Sequence, residues 1–437
     1  MKKLIVSGLA LLLILTGCGS NGDKPSEEVT LKVAGLESGY GKEGWQKVVD
    51  TFAAEKGVKV ELEMVQNIED VLRPQIQAGD VPDVIYLAIG SKGKLTDTMI
   101  SEKKILEITD VLDMKVFGED VAVKDKLQDG VLNTLRTNPY GDDKTYLTPH
   151  FFAPTGLFFN EGLFNEKGWA VPTTWDEMFA LGDKAAAEGI ALFTYPTTGY
   201  FDAFFSALLN NVVGPEMYAK LMNYDEAAWA SPQTKEAFEI VGKLAQYTHK
   251  DTVSQANGEG FTKNQQLILD NKALFIPNGT WLPGEMKDAP RAEGFEWGFI
   301  SIPKVSATGD TYASTFTEEV YIPSDAKNVE LAKEFITFLY SDKAVQIFAE
   351  NGGAIQPVKK AIDFIPEGSD LKLFYSVYDN GAKANSVGFA SKDPVEGVDL
   401  TSSEGILYGT VNEVVSGQKT VDQWYQEVLD AVAKYNK

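Results

Sequence analysis

The sequence predicts an α/β protein built as two lobes, and three observations carry that prediction. Residues 29 to 87 alternate between strand and helix periodicity in the order strand, helix, strand, helix, strand, the pattern of a parallel sheet with right-handed crossovers. A second unit with its own helix and strand signals opens after the turn-rich stretch Asn138 to Lys144. The chain has 437 residues, 44% apolar and 24% charged, which suits two to three folding units and excludes general disorder.

The elements follow in order. Lys2 and Lys3 precede an apolar run from Leu4 to Leu15, too short to span a bilayer comfortably but suited to a signal-peptide core over residues 1–17. Leu15-Thr16-Gly17-Cys18 resembles the lipobox of bacterial lipoproteins, which implies cleavage before Cys18 and lipidation of its thiol. Residues 18–27, rich in Gly, Ser, Asn and charge, read as a flexible tether. No second long apolar run follows, so a soluble remainder is expected.

Val29, Leu31 and Val33 alternate as a half-buried strand. Trp45, Val48, Val49, Phe52 and Ala53 recur at helical spacing, and Gly57 stops that helix. Val58 to Met64 alternates again, Val71, Leu72 and Ile76 mark a short helix, and Val84 to Leu87 is a third strand. Ligands of such open sheets bind at the carboxyl ends of the strands, which points to the loops Gly35 to Lys42 and Ala88 to Lys92. In the second unit, Thr174 and Glu177 fit a capping box for a helix from Trp175 to Glu188, followed by a strand, Ile190 to Tyr195. Gly294 to Pro303 and Val320 to Pro323 read as strands crossing back, before a helix bearing Leu331, Phe335, Phe338 and Leu339.

Composition narrows the function. A formal charge of −23 repels phosphate backbones, so no nucleic acid is expected as a partner. Arg73, Arg136 and Arg291 are the only arginines, so guanidinium clamps for phosphate or carboxylate ligands are scarce. With two histidines and one cysteine, a Cys/His zinc site, an intrachain disulfide and a Cys–His nucleophile are excluded. No metal and no cofactor are expected.

Several segments, in order, resemble the sugar-binding branch of the extracellular solute-binding proteins of ABC importers. These are Gly79-Asp80-Val81-Pro82-Asp83-Val84; Leu157-Phe158-Phe159-Asn160 with Leu163-Phe164 and Pro172-Thr173-Thr174-Trp175-Asp176-Glu177; Asn278-Gly279-Thr280-Trp281; and Asn328 to Phe335 with Phe348 to Pro357. Phe159 stands where that family usually has tyrosine. The resemblance implies a type II periplasmic-binding-protein-like fold, with a ligand cleft between lobes joined by hinge crossings. Carried onto this chain, one lobe is 28–150 with 297–360 and the other 151–296 with 361–437. Hinges then fall near His150 to Thr155, Glu296 to Ile300 and Gln356 to Lys360. It also implies a monomer that delivers its ligand to ABC permease subunits from the outer face of the cytoplasmic membrane. Gly19 after the cysteine points to a Gram-positive surface.

A sugar site needs aromatic faces for C–H patches and short polar groups for hydroxyls. Trp281, at an abrupt break after Asn278-Gly279-Thr280, is the expected stacking residue through the resemblance. Tyr200 and Asp202 follow a predicted strand, Asp202 serving either as ligand acceptor or as helix cap. Glu37 and Tyr40 follow the first strand, and His150 and Phe152 lie at the first crossing. Glu318 and its neighbour Glu319 are candidate hydroxyl acceptors, as is Gln356 at the last hinge. Asp83 reads instead as structural, holding a neighbouring loop. The expected function is capture of a neutral carbohydrate, an oligosaccharide, without catalysis; the resemblance leans toward N-acetylglucosamine- and chitobiose-type binders through its Tyr200-Phe201-Asp202 context, with malto- and xylo-oligosaccharides open. The alternatives are a non-sugar solute on the same fold, or a secreted glycoside hydrolase, which needs a carboxylate pair that no local motif marks.

Overall fold

The computed structural model describes residues 29–437 apart from 38–39, 92, 129–130, 133, 135, 258–259, 387, 391 and 393. The expected signal peptide, Cys18 and the tether lie outside the described residues. Strand β1 (Thr30–Leu36) pairs in parallel with β2 (Lys59–Val65) on one side and β3 (Val84–Tyr86) on the other. The intervening helix Glu43–Lys56 buries Trp45, Val48, Val49 and Phe52, and ends at Gly57, whose left-handed φ of 70° only glycine adopts without strain.

Asp83 ties this unit together. Its carboxylate accepts from the backbone N–H groups of Lys32 at 2.9 Å, Lys327 at 3.1 Å and Asn328 at 2.8 Å, and from the Asn328 side chain at 3.0 Å. It is nearly inaccessible, in keeping with a structural role.

The long strand β4 (Leu147–Asn160) is buried along its whole length. Strands β5 (Ala191–Phe193) and β6 (Ala273–Gly279) pair in parallel, and β6 and β7 (Trp297–Ile300) pair antiparallel with the second half of β4. Strand β8 (Thr311–Tyr321) runs antiparallel to the first half of β4, reaches β3 at its end, and takes β9 (Ala382–Ser386) in parallel at its start. The capping box at Thr174 and Glu177 is present, and its helix runs Trp175–Ala187.

Apolar packing divides along these two long strands, giving the two-lobed α/β architecture. One core gathers Leu31 to Leu127, Phe151 to Ala153 and Val320 to Tyr375. Another gathers Leu157 to Ile302, Tyr312 and Leu400 to Val432. A smaller core, with Phe158, Phe299, Ala313, Phe374 and Ala382, lies where both meet.

Two of the three segments expected as hinges pair or pack within one unit. Trp297–Ile300 is not a crossing, because it pairs with Leu157–Asn160 inside the second unit; the crossing is β8 itself. Gln356 to Lys360 stays with the first core, through Val358 and Ala361, and the chain returns to the second through helix Asp370–Asp379 and β9. Only the crossing at His150 to Thr155 coincides with a strand that changes partners.

Candidate functional site

Strand β6 is apolar and buried up to Gly279, where the chain turns back on itself. A Cβ at Gly279 would lie 2.2 Å from the Trp281 indole, so glycine is what lets that ring fold over the strand end. Trp281 is attached to the second unit but packs against the first core. Its ring meets Tyr40 edge-on at 6.2 Å, Phe316 edge-on at 5.6 Å and Tyr200 at a tilt at 6.2 Å. Tyr40 continues to Phe151 at 5.1 Å, and Tyr200 stacks on Phe261 at 6.1 Å. Six separate segments thus build one row of rings, which runs outward from Tyr40 and Phe151 of the first core.

Close backbone approaches hold the row. A Cβ at Gly353 would lie 2.8 Å from the Tyr40 ring, and the Thr280 hydroxyl donates to the Gly353 carbonyl at 2.8 Å. Tyr200 lies in a π-helical turn, Thr197–Phe201, that leads directly into helix Asp202–Val213. Phe316 is 37% exposed although it sits within a crossing strand, which leaves an apolar face beside Trp281.

Acids border the rings. Glu318 shares the face of Phe316, two residues away on β8, and stands opposite Phe151 in the register. It is 6% exposed, and its Oε2 has no hydrogen-bond partner among the described residues. Burial, followed by the adjacent Glu319 charge, pushes its carboxyl up to about 8. Glu319 points to the opposite face, where it binds Arg136 Nη1 at 2.6 Å and accepts from the Ile89 N–H at 3.0 Å. The alternation of the strand therefore separates two neighbouring acids that the sequence presents as equivalent.

Glu285 turns its carboxylate inward, accepting from the Tyr200 hydroxyl at 3.4 Å and Gln265 Nε2 at 2.7 Å, while the rest of the residue is exposed. Burial of that carboxylate raises it above the usual range. Gln265 is fully buried, and its Oε1 lacks a partner among the described residues.

Of the expected site residues, Trp281, Tyr200, Tyr40 and Glu318 come together here. Asp202 sits at the start of its helix, accepts from the Ala203 N–H at 2.9 Å, and is raised by burial to about 6. Glu37 turns to Lys42 at 3.7 Å. Gln356 is fully buried with both amide atoms unpartnered among the described residues. Phe152 projects from the other face of β4 and stacks on Tyr378 at 5.4 Å.

His150 is a correction to the expected cleft position, since it has no exposed surface. Trp45, Phe151, Phe348 and Tyr86 surround it at 4.3 to 5.5 Å. Burial pushes its pKa down to about 3, so it is neutral in the core. The sequence reading also missed Phe316, Phe261, Gln265, Glu285, Thr280 and Gly353. Only Phe316 carried a signal: an aromatic ring on an otherwise polar alternation, Ser314-Thr315-Phe316-Thr317.

Among the described residues, no group of three or more His, Cys, Asp or Glu is arranged to hold a metal, and no helix is long and apolar enough to cross a membrane. A surface concavity of about 480 Å³ near Lys220, Tyr224 and Asn436 shares no residue with the ring row. Rings presenting flat faces, with carboxyl and amide groups at their edges, can recognise a ligand that alternates C–H patches with hydroxyls.

Comparison with known proteins agrees with this geometry. Residues 47–372 match the family described as bacterial extracellular solute-binding protein. The chain is 26% identical over 348 residues to the diacetylchitobiose binding protein NgcE of Streptomyces coelicolor, covering 76% of this chain and 70% of that one. It is 23% identical over 329 residues to the multiple sugar-binding protein of Streptococcus mutans, covering 72% of each. The fold superposes on apo RafE of Streptococcus pneumoniae with a TM-score of 0.71 at 17% identity, over 95% of this chain and 100% of that one.

Proposed function

Because this chain belongs to the bacterial extracellular solute-binding protein family, we propose that it captures a carbohydrate between its lobes for an ABC importer. The observation that carries this reading is the row of rings through Trp281, which joins Tyr40 of the first core to Tyr200, just before a helix buried in the second. A saccharide lying against Trp281 and Tyr40 contacts both lobes and stabilises the form in which they are close. A membrane permease then reads that form. The printed names of NgcE and the Streptococcus mutans protein support a sugar as the ligand. The scarcity of arginine and the acids at the ring edges favour one without negative charge.

In this reading the lobes are 29–152 with 316–370, and 154–314 with 382–437, and the hinges are the middles of β4 and β8 and the segment between helix Asp370–Asp379 and β9. The protein works as a monomer that binds and releases its ligand unchanged. Cys18 carries the lipid anchor, after removal of residues 1–17, and holds the protein at the outer face of the cytoplasmic membrane of a Gram-positive cell. Trp281, Tyr200, Tyr40 and Glu318 are the ligand contacts, with Asp202, Glu37 and Gln356 at the margins.

The test is the melting temperature of the purified protein against chitobiose, N-acetylglucosamine, maltotriose, xylobiose, cellobiose and raffinose, with glycerol 3-phosphate as the anionic control. A ligand at 100 times its Kd adds about 2.7 kcal/mol, a rise of a few degrees. A rise with a saccharide recovered intact supports the reading. No rise with any saccharide, or cleavage of one, overturns it.

A further inference from the structure

The crossing strand β8 places Glu318 where a ligand lying on Trp281 and Phe316 would meet it. It stands beside Phe316 and opposite Phe151, whose ring meets Tyr40, and its charge acts on the Tyr40 hydroxyl. No backbone N–H or side-chain donor satisfies its Oε2 among the described residues. The charged groups around it offer no compensation. Arg136 is engaged by Glu319 on the far face of the strand at 2.6 Å. Beyond Tyr40, the next charge acting on that tyrosine is another acid, Glu285. An ionised carboxylate buried beside aromatic rings, with one oxygen lacking any donor and no cation at hand among the described residues, is strongly disfavoured, whereas a protonated one is tolerated.

We propose that Glu318 is a specificity-determining residue that meets the bound saccharide as a neutral carboxyl and donates a hydrogen bond to one of its oxygens. This rests on the carbohydrate reading and deepens it by assigning the direction of the bond. The oxygen it meets is a lone-pair acceptor, either a hydroxyl or ring oxygen or an acyl carbonyl. A ligand carboxylate or phosphate there would meet no free cation among the described residues and would approach the Glu285 carboxylate beside Tyr200. The same arrangement explains why the burial of Glu318 holds its proton up to about 8 in the absence of ligand.

The experiment is calorimetric titration with N,N′-diacetylchitobiose, raffinose, maltotriose and xylobiose at pH 6.5 and pH 9.5, in wild type, Glu318→Gln and Glu318→Ala. The wild type should lose at least ten-fold in affinity at the higher pH. Glu318→Gln, which keeps a donor, should bind within a few-fold of wild type at pH 6.5 and show no such loss at pH 9.5. Glu318→Ala should bind at least ten-fold more weakly at both. A purely structural role would lower melting temperature in Glu318→Gln while leaving the pH dependence of binding unchanged, which would overturn the proposal. Affinity that rises with pH and is abolished in Glu318→Gln would overturn it too, by making the residue an ionised acceptor. Binding with no dependence on pH or on either substitution would remove the residue from the site. If none of the saccharides binds at either pH, the carbohydrate reading fails and this proposal falls with it.

Discussion

The Thr280 hydroxyl donates to the Gly353 carbonyl at 2.8 Å, and this bond joins the turn after β6 to the loop after helix Asp342–Asn351. Thr280 follows a strand of the second unit and Gly353 a helix of the first, so the bond stabilises the approach of the two rather than the interior of either. Thr280→Val removes the donor at a cost of about 1 kcal/mol. Melting temperature should therefore change little, while the radius of gyration from solution scattering should increase as separated lobes become more populated. A melting temperature lowered by many degrees, with no change in scattering, would place the bond within one folding unit instead.

Gly279 and Gly353 set the positions of Trp281 and Tyr40 through space rather than through bonds. Adding a methyl at Gly279 brings it within 2.2 Å of the indole, and at Gly353 within 2.8 Å of the phenol ring. Gly279→Ala and Gly353→Ala should each weaken saccharide binding at least about ten-fold, with far-ultraviolet circular dichroism unchanged. Unaltered affinity in both would show that neither ring contacts the ligand.

Stability should fall as pH rises from 6.5 to 8. Glu318 is held at about 8 when folded, above its ordinary value of 4.5, so the folded state keeps a proton that the unfolded chain has released. Asp202, at about 6, acts in the same direction but only at lower pH. His150, at about 3, acts oppositely: the unfolded chain gains a proton below 6.5 that the folded core refuses. Above pH 6.5, Glu318 is the one of these three still titrating. The loss by pH 8 is at most about 2 kcal/mol. Denaturant unfolding at both pH values should show the decline in wild type and a flat profile in Glu318→Gln. The same slope in both proteins would assign it elsewhere.

The sequence was most legible where one local signal dictates one local structure. The alternation at Leu31 and Val33, the 3.6-residue recurrence at Trp45 to Phe52, the stop at Gly57 and the capping box at Thr174 each correspond to observed elements. Asp83 was readable for the same reason, as a short polar residue entering a buried strand. The crossings were less legible. Strand β8 continues through polar Thr315 and Thr317, which look like loop in isolation and are held in the strand by pairing with β4.

Position within the site depended on parity and packing, neither of which is a local property. His150 and Phe151 are both buried, their rings 4.3 Å apart beside an irregularity in β4, and it is Phe151 that meets Tyr40. Glu318 and Glu319 look alike in the sequence and face opposite sides of a strand. Gln265 and Phe261 join the site because helix Phe261–Leu269 packs beside β6, and Glu285 joins it from the short helix Leu282–Glu285 that follows Trp281.

The most direct test of the account is calorimetry of wild type and Trp281→Ala with whichever saccharide raises the melting temperature most. The account predicts a single site in the wild type and at least a hundred-fold loss in Trp281→Ala, about 2.7 kcal/mol, with the variant still folded. Equal affinity in the two proteins would contradict it, because the ring row joining the lobes would then not be where the saccharide lies.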